Sequence, residues 1–199
     1  MNLLAHAYLS FEHPDILAGN MISDFVKGKK QYDYPSMIQK GIRLHRSIDE
    51  FTDSHAATAE IKKFFRPVYR LYSGAITDIV YDYFLANDHK EFKDPGILEK
   101  FTLNTYALLE PNLSLLPTAF IRLFPHMKQH NWLYNYRHEL GIMKSINGLA
   151  ARARYIAEPA EAYSIFRNNI PQMQHFYEDF FPMLKNHARD TMKDLLNKD

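Results

Sequence analysis

The chain has 199 residues, with 24 basic and 23 acidic side chains, a formal net charge of +1 and no cysteine. This balance argues against an overall attraction to nucleic acid or an anionic membrane, and the lack of cysteine excludes disulfides and thiolate metal or redox sites. The first ten residues lack the features of a signal peptide, and no apolar run is long enough to span a bilayer. The length suits one domain, residues 1–199, which we expect to be soluble and cytoplasmic.

Apolar residues recur at helical spacing along most of the chain, and prolines fall where successive helices would begin. The predicted helices cover residues 2–10, 15–27, 36–51, 54–65, 67–87, 95–109, 117–129, 131–157 and 160–197. Breaks are expected near Gly141 and near Pro171 or Pro182, and exposed loops at Gly28 to Asp33 and Asn87 to Asp94. The aromatic clusters at residues 64–72 and 176–181 are typical of core packing. The predicted fold class is an all-α, single-domain helical bundle.

Titratable side chains interrupt the apolar faces of three of these helices. The affected rows are Ile38, Ile42, His45, Asp49 and Thr52; Leu71, Ala75, Asp78, Asp82 and Leu85; and, more weakly, Leu17, Met21 and Asp24. A buried ionised carboxylate costs several kcal/mol unless a cation, hydrogen bonds or water offset the cost. Three helices that carry such groups toward one interior predict a shared cation, which we expect to be a metal.

Ordinary structural roles are also open to these residues. Asp53 could cap the helix that follows it, and His45 could be a hydrogen-bonded core histidine. Asp49 could pair with Arg43 or Arg46. Each role alone is the simpler explanation, but together they require a separate explanation for every residue. The combined pattern therefore favours a functional site.

A mixed set of imidazole and carboxylate ligands suits Mn²⁺, Fe²⁺, Mg²⁺ or Zn²⁺. The chain has no Glu-x-x-His pair, which argues against a ferritin-like di-iron centre. Lys27, Arg43 and Arg46 lie near the acidic residues in sequence. A metal that lowers the pKa of a bound water, beside cations that stabilise phosphoryl oxygens, suits hydrolysis of a phosphate ester.

Four ordered blocks carry a resemblance to a known family. They are N-L-L-A-H at 2–6, G-N-M-I-S-D-F-V-K-G at 19–28, G-I-R-L-H-R-S-I-D-E-F-T-D-S-H at 41–55 and D-I-V-Y-D-Y-F-L-A at 78–86. These blocks resemble the bacterial acyl carrier protein phosphodiesterases, with weaker likeness at 131–136, 141–142 and 149–152. Ser23, Ala56 and His89 depart from the usual pattern, and no adjacent His-Asp pair is present. None of these departures removes a candidate ligand.

The resemblance implies a fold like an atypical branch of the all-α HD phosphohydrolases. It also implies removal of 4′-phosphopantetheine from holo acyl carrier protein with a divalent metal, preferably Mn²⁺, leaving the apo form. Its candidate ligands of the metal or its water are His6, Asp24, His45, Asp49, Asp78 and Asp82. Asp53 and His55 are catalytic candidates, with His55 as proton donor to the leaving serine oxygen. Lys27, Arg43 and Arg46 are candidates to bind phosphate or carrier carboxylates.

Two other functions fit the same residues. One is a metal-dependent phosphohydrolase of a nucleotide or another small phosphodiester. The other is a non-catalytic helical module that binds an acidic partner and pairs its own carboxylates with arginine. Acyl carrier proteins are strongly acidic, so the hypothesis of a carrier-protein phosphodiesterase requires a local basic surface. The candidates are a first basic group (Lys27, Lys29, Lys30, Arg43, Arg46) and a second basic group (Lys62, Lys63, Arg66, Arg70).

Overall fold

The computed structural model describes residues 1–153, 156 and 158–197, and the regular structure in this part of the chain is helical. The α-helices are α1 (Leu3–Tyr8), α2 (Pro14–Ile22), α3 (Ser36–Ser54), α4 (Ala56–Tyr69), α5 (Ser73–Ala86), α6 (Pro95–Leu109), α7 (Thr118–Gln129), α8 (Trp132–Asn135), α9 (Glu139–Arg152), α10 (Pro159–Asn168) and α11 (Ile170–Asn197). Short 3₁₀ segments occupy Ser23–Phe25, Gly28–Asp33, Arg70–Tyr72 and Glu110–Leu115. The predicted all-α fold is confirmed.

Helix starts agree with prediction where a proline follows a polar residue. Pro14, Pro95 and Pro159 stand in the first turn of α2, α6 and α10. Before α6, the Asp94 carboxylate accepts a 3.1 Å hydrogen bond from the Ile97 N–H. A cap of this kind satisfies an N–H that has no partner within the helix. Helix α6 accordingly has the predicted bounds.

The predicted helix start at Pro67 is wrong. Pro67 lies inside α4, which ends at Tyr69, and Arg70 then adopts a left-handed φ of 46°. The fixed φ of proline is helical, so a proline can lie inside a helix at the cost of a backbone hydrogen bond, and its presence alone does not mark a boundary. The turn at Arg70–Tyr72 places Leu71 outside the predicted face of α5, where its side chain is 96% exposed.

Of the predicted breaks in the last two helices, the one near Pro171 is confirmed and the one near Gly141 is displaced. Residues 136–138, rather than Gly141, separate α8 from α9. Gly141 lies inside α9 and permits close packing, since a Cβ there would lie 1.9 Å from the Asn135 carbonyl oxygen. Asn169 separates α10 from α11, and Pro182 lies inside α11. The predicted helix end at residue 157 lies outside the described residues.

The two predicted loops have different outcomes. Gly28–Asp33 is mostly exposed, as expected, but it forms a 3₁₀ segment rather than an irregular loop. Residues 87–94 form a connection between helices, as predicted, although Phe92 within it is buried. Its aromatic ring is removed from water because it packs against Tyr8 and Phe101.

Helices α2 and α3 cross with their backbones in direct contact. A Cβ on Gly19 would lie 2.0 Å from the Ile38 carbonyl oxygen, and one on Gly41 would lie 2.3 Å from a carbonyl oxygen of α2. Only glycine permits so close an approach. The crossing brings Asn20, the neighbour of Gly19, against His45, one turn beyond Gly41.

Helix α11 packs along α3, α4 and α5 and closes the apolar core. The Phe180 ring stacks on Tyr81 with ring centroids 4.8 Å apart, and Phe65, Tyr177 and Phe181 are also buried. The prediction that the aromatic clusters pack in the core is confirmed. Among the described helices, none combines the length and the apolar composition needed to cross a membrane.

Candidate metal centre

Two histidines and an aspartate converge between α1 and α3. The imidazole rings of His6 and His45 stack, with centroids 3.8 Å apart and planes inclined by 11°. The Asp49 carboxylate lies 3.3 Å from the His6 Nε2 and 3.1 Å from the His45 Nε2. The candidate ligand atoms of the three residues all lie within 4.8 Å of one another. We call His6, His45 and Asp49 the His–His–Asp cluster.

The two Nε2 atoms of the cluster are buried, and in the described part of the chain neither has a partner in hydrogen-bond geometry. Buried polar atoms without such a partner are uncommon and need an explanation. Here both atoms face one carboxylate, which favours a cation among the three side chains. Two imidazole nitrogens and a carboxylate form a donor set that fits a divalent ion such as Mn²⁺, Fe²⁺ or Zn²⁺. The predicted alternative of a hydrogen-bonded core histidine at His45 accounts for its Nδ1, which contacts the Asn20 carbonyl, but not for its Nε2.

The electrostatics of the cluster differ between the two rings. Burial lowers the pKa of His6 to about 4, and the adjacent His45 adds to this shift. Burial alone would also lower the pKa of His45, but the carboxylates of Asp24 and Asp49 outweigh burial and raise it to about 9. For Asp49, burial would raise the pKa, yet the contacts with the two imidazoles hold it well below its usual range. The cluster therefore stabilises positive charge beside an ionised carboxylate.

Asp24 approaches the cluster from the 3₁₀ turn that follows α2. Its carboxylate lies 3.3 Å from the His45 Nε2, and its side chain is 81% exposed. The contact with His45 lowers the pKa of Asp24, although partial desolvation of the carboxylate by the neighbouring groups opposes the shift. Asp24 therefore marks the side on which the site is open to solvent.

Asp78 approaches from α5 and is half-buried. Its carboxylate accepts a 3.0 Å hydrogen bond from the α-amino group of Met1, which also lies 3.3 Å from an Asp49 oxygen. Burial would lower the pKa of this amino group, but Asp78 and Asp49 raise it to about 10. Burial raises the pKa of Asp78 despite the adjacent amino group. The two carboxylates thus hold a positive group next to the cluster.

Asp82, one turn beyond Asp78, has a different environment. It is fully buried, and its two oxygens accept hydrogen bonds from the N–H groups of Leu4 at 2.7 Å and Ala5 at 3.1 Å. These N–H groups belong to the first turn of α1, where no intrahelical acceptor exists. Burial raises the pKa of Asp82 to about 7, although both hydrogen bonds oppose this shift. Asp82 therefore fixes the start of the helix that carries His6.

Asp53 and His55 lie at the junction between α3 and α4. Asp53 is exposed and accepts a 2.7 Å hydrogen bond from the Lys62 ammonium group. His55, not Asp53, caps α4, because its Nδ1 accepts a 3.2 Å hydrogen bond from the Ala57 N–H. The His55 ring lies 5.0 Å from that of Phe180. Among the described residues, neither Asp53 nor His55 has a hydrogen bond, ion pair or ring contact with the cluster.

The basic candidates are exposed side chains on α3 and on the segment that follows Asp24. Arg46 donates a 2.8 Å hydrogen bond to the Gln31 side chain and a 3.5 Å one to the Val26 carbonyl, so it holds the segment after Asp24 against α3. Lys27 and Arg43 are exposed and form no ion pair within the described residues. The predicted alternative in which Asp49 pairs with Arg43 or Arg46 is therefore wrong.

Asn20 contacts both histidines, and the sequence did not single it out. Its side-chain oxygen lies 2.8 Å from the His6 Nδ1, and its backbone oxygen lies 2.7 Å from the His45 Nδ1. Asn20 is completely buried in α2, one turn after Ile16. A polar residue on the apolar face of a helix requires a hydrogen-bond partner, and this was the signal available in the sequence.

A protein-family model described as acyl carrier protein phosphodiesterase matches residues 1–184. A protein of that name from Klebsiella pneumoniae is 29% identical over 190 residues, which cover 96% of this chain and 98% of the relative. The corresponding proteins of Serratia proteamaculans and Yersinia pestis are each 28% identical, over 190 and 189 residues, with coverage of 96% and 95% of this chain and 98% of each relative. No solved structure gives a significant match, so the implied likeness to HD phosphohydrolases stays a prediction. Because the family model covers almost the whole chain and the relatives match at nearly full length, the chain belongs to the acyl carrier protein phosphodiesterase family.

Proposed function

We propose that this protein is a metal-dependent phosphodiesterase that releases 4′-phosphopantetheine from holo acyl carrier protein. Family membership supports the phosphodiesterase activity and the carrier-protein substrate. The observation that carries the metal requirement is the pair of buried histidine Nε2 atoms that face Asp49 without hydrogen-bond partners. In this hydrolysis a water oxygen would bond to the phosphorus as the bond between the phosphorus and the carrier serine oxygen breaks. The water hydroxyl would stay on the released 4′-phosphopantetheine, and its proton would account for the one gained by the serine oxygen.

The His–His–Asp cluster would hold the metal, with Asp24 and Asp78 as further ligands at its edge. A divalent ion bound there would supply a Lewis acid and a water of lowered pKa. Two imidazoles among several carboxylates suit Mn²⁺, which we propose as the preferred ion, with Mg²⁺ or Fe²⁺ as alternatives. Asp82, whose oxygens both accept backbone hydrogen bonds, would contribute by positioning α1.

The carrier protein would dock on the first basic group. Its three lysines are exposed on the segment that follows Asp24, and they form no ion pair within the described part of the chain. In the second basic group, by contrast, Lys62 and Lys63 are paired with carboxylates. Cations that are not neutralised attract an acidic partner more strongly and steer it toward the neighbouring site.

Lys27 and Arg43 are the proposed contacts to the substrate phosphate. Both are exposed; Lys27 follows Asp24 by three residues, and Arg43 precedes His45 by two on α3. Arg46 would support them indirectly, because its guanidinium already holds the segment that contains Lys27. Cationic groups at these positions would stabilise the charge that develops on the phosphoryl oxygens during hydrolysis.

Intact-mass analysis of holo carrier protein tests the proposed function. Incubation with this protein and Mn²⁺ should convert the holo form to the apo form, and excess chelator should stop the conversion. Full turnover by metal-stripped protein in excess chelator would contradict the metal requirement. Turnover of small phosphodiesters without any conversion of holo carrier protein would favour the alternative phosphohydrolase. A purified protein that neither binds metal nor converts any of these substrates would favour the non-catalytic module.

A further inference from the structure

We infer that Asn20 is a positioning residue that sets both histidines of the cluster with their Nε2 atoms toward Asp49. Asn20 does so with two chemically different groups: its side chain acts on His6, and its backbone carbonyl acts on His45. The inference rests on the proposed function, because it concerns the proposed metal site. In this role Asn20 touches none of the reacting atoms and acts only through the two proposed histidine ligands.

The hydrogen bonds around Asn20 fix the orientation of its amide. The Ser10 hydroxyl donates to the His6 carbonyl at 2.7 Å, so its oxygen remains free to accept. The Asn20 Nδ2 lies 2.9 Å from the same carbonyl and 3.0 Å from the Ser10 hydroxyl oxygen. The His6 carbonyl oxygen and the Ser10 hydroxyl oxygen both act as acceptors here, and only the NH₂ group of the Asn20 amide can donate to them. The amide oxygen must therefore face His6.

This orientation determines the tautomer of His6. An amide oxygen only accepts hydrogen bonds, so the His6 Nδ1, at 2.8 Å, must carry the hydrogen. In a neutral imidazole the other nitrogen is then the acceptor. The lone pair of the His6 Nε2 consequently points toward Asp49, which lies 3.3 Å away.

The backbone of Asn20 requires the His45 Nδ1 to carry a hydrogen as well. A carbonyl oxygen accepts and never donates, so the His45 Nδ1, at 2.7 Å, carries its hydrogen. The contact depends on the close crossing of α2 and α3, in which Gly19 leaves no room for a side chain. Substitution of the Asn20 side chain should therefore release His6 and leave His45 in place.

In the metal-free protein a proton on the His45 Nε2 faces Asp49, in keeping with the raised pKa of this ring. A divalent cation that replaced this proton would meet the Nε2 lone pairs of both rings and the Asp49 carboxylate. Because the rings are already oriented, binding of a divalent ion does not require either ring to turn. Outer hydrogen bonds of this kind typically account for about 10–100-fold in metal affinity. Loss of the Asn20 side chain should weaken metal binding within this range.

Three variants separate this role from a merely structural one. Asn20→Leu removes the acceptor of His6 while keeping the same number and branching of side-chain heavy atoms, whereas Asn20→Asp retains an acceptor. Ser10→Ala is the matched control, since it removes hydrogen bonds of the same network without altering the Nδ1 contact of either histidine. The measurements are the Mn²⁺ dissociation constant and ¹⁵N spectra of labelled histidine, recorded for His6 in metal-free protein and for both histidines with diamagnetic Zn²⁺.

We expect protonated Nδ1 atoms at both histidines of the wild type. In Asn20→Leu the His6 Nδ1–H signal should be lost or shifted while that of His45 persists, and Mn²⁺ should bind about 10–100-fold more weakly. Asn20→Asp should retain the His6 signal and bind Mn²⁺ within about tenfold of the wild type. Ser10→Ala should keep both signals.

Protonation of Nε2 rather than Nδ1 in neutral wild-type His6 would overturn the inference, even if every variant failed to fold. Wild-type Mn²⁺ affinity in Asn20→Leu, or an equal change in His6 and His45, would overturn it as well. The predicted tautomers in a protein that binds no Mn²⁺ would support the orienting role of Asn20 and contradict the proposed function instead. No carrier protein is needed for any of these measurements.

Discussion

The His–His–Asp cluster and the α3–α4 junction contain the same kinds of residue in opposite chemical situations. In the cluster, the buried Nε2 atoms of two imidazoles lie close to Asp49, but neither forms a hydrogen bond of regular geometry with it. At the junction, His55 caps α4 and Asp53 pairs with Lys62 in solvent. Helix α3 supplies an aspartate to each region, one turn apart. A titratable residue therefore indicates a site when the fold leaves its polar atoms unsatisfied, and its position in a helical pattern is not sufficient.

The largest expected effect comes from the two aspartates of α3. Asp49→Asn removes a charged ligand from the cluster and should reduce kcat/KM for holo carrier protein by at least about 1000-fold, which corresponds to about 4 kcal/mol. Asp53→Asn, the matched control on the same helix, should change it by less than about threefold, because this carboxylate is exposed and contacts Lys62. Mass-based initial rates on folded proteins measure both. Equal losses in the two variants would remove the distinction between the regions.

The second prediction concerns the buried carboxyl of Asp82. Burial raises its pKa from 3.8 to about 7 in the folded protein. A carboxyl that binds its proton more tightly when folded contributes stability at low pH, and this contribution is lost as the pH rises toward the folded pKa. The stability of metal-free wild type relative to Asp82→Asn should therefore fall between about pH 4 and pH 8, by at most about 4 kcal/mol.

Denaturant unfolding of both proteins across this range measures the difference. The comparison with Asp82→Asn removes the contributions of the other titrating groups, which are common to the two chains. A stability difference that does not vary with pH would mean that the Leu4 and Ala5 N–H groups keep the carboxylate ionised throughout. In that case burial would not control its protonation.

The third prediction tests the helix crossing that supports the cluster. Gly19→Ala would place a methyl group 2.0 Å from the Ile38 carbonyl oxygen and should destabilise the protein by about 1–3 kcal/mol. The control is Gly148→Ala in α9, where a Cβ would meet no atom within 4 Å. This substitution should stabilise the protein by about 0.5–1 kcal/mol, because alanine favours the helix more than glycine does. Urea denaturation gives both values. If Gly19→Ala were as stable as the wild type, close backbone contact would not be needed for this crossing.

Local periodicity predicted the parts of the site that one helix determines. His45 and Asp49 are four residues apart on α3, and the buried neighbours Ile38 and Ile42 define the face that they share. The sequence could therefore place both residues toward the interior without knowledge of the tertiary fold. The same reasoning failed at Leu71, because a left-handed residue at Arg70 ended the helical register just before it.

The parts of the site that depend on distant contacts could not be predicted in this way. Asp78 and Asp82 are equivalent in the sequence pattern of α5, yet Asp82 meets the start of α1 and Asp78 meets the α-amino group of Met1. Asn20 became relevant only when the crossing of α2 and α3 placed it between His6 and His45. Spacing along a helix contains no information on which other helix a polar group will meet.

The fourth prediction compares the two basic groups. Reversal of the three lysines Lys27, Lys29 and Lys30 to glutamate should raise KM for holo carrier protein by about tenfold at low salt and also lower kcat, because Lys27 is a proposed contact to the substrate phosphate. Reversal of Lys63, Arg66 and Arg70 adds the same charge and should change KM by less than about twofold. Added salt should reduce the difference, because exposed charges are screened. If the second variant has the larger effect, the carrier protein docks on the α4 side instead.

The smallest expected effect is at His55, where a structural and a catalytic role make opposite predictions. Asparagine caps helices well, so His55→Asn should retain the hydrogen bond to the Ala57 N–H and cost less than about 1 kcal/mol. Because His55 lies against Phe180 rather than the cluster, we expect kcat within about threefold of the wild type. His55→Ala, which loses the cap, should lose about 1 kcal/mol of stability, with activity that follows the folded fraction. A loss of about 100-fold in kcat for a fully folded His55→Asn variant would instead identify His55 as the proton donor to the leaving serine oxygen, since general acid catalysis contributes effects of that size.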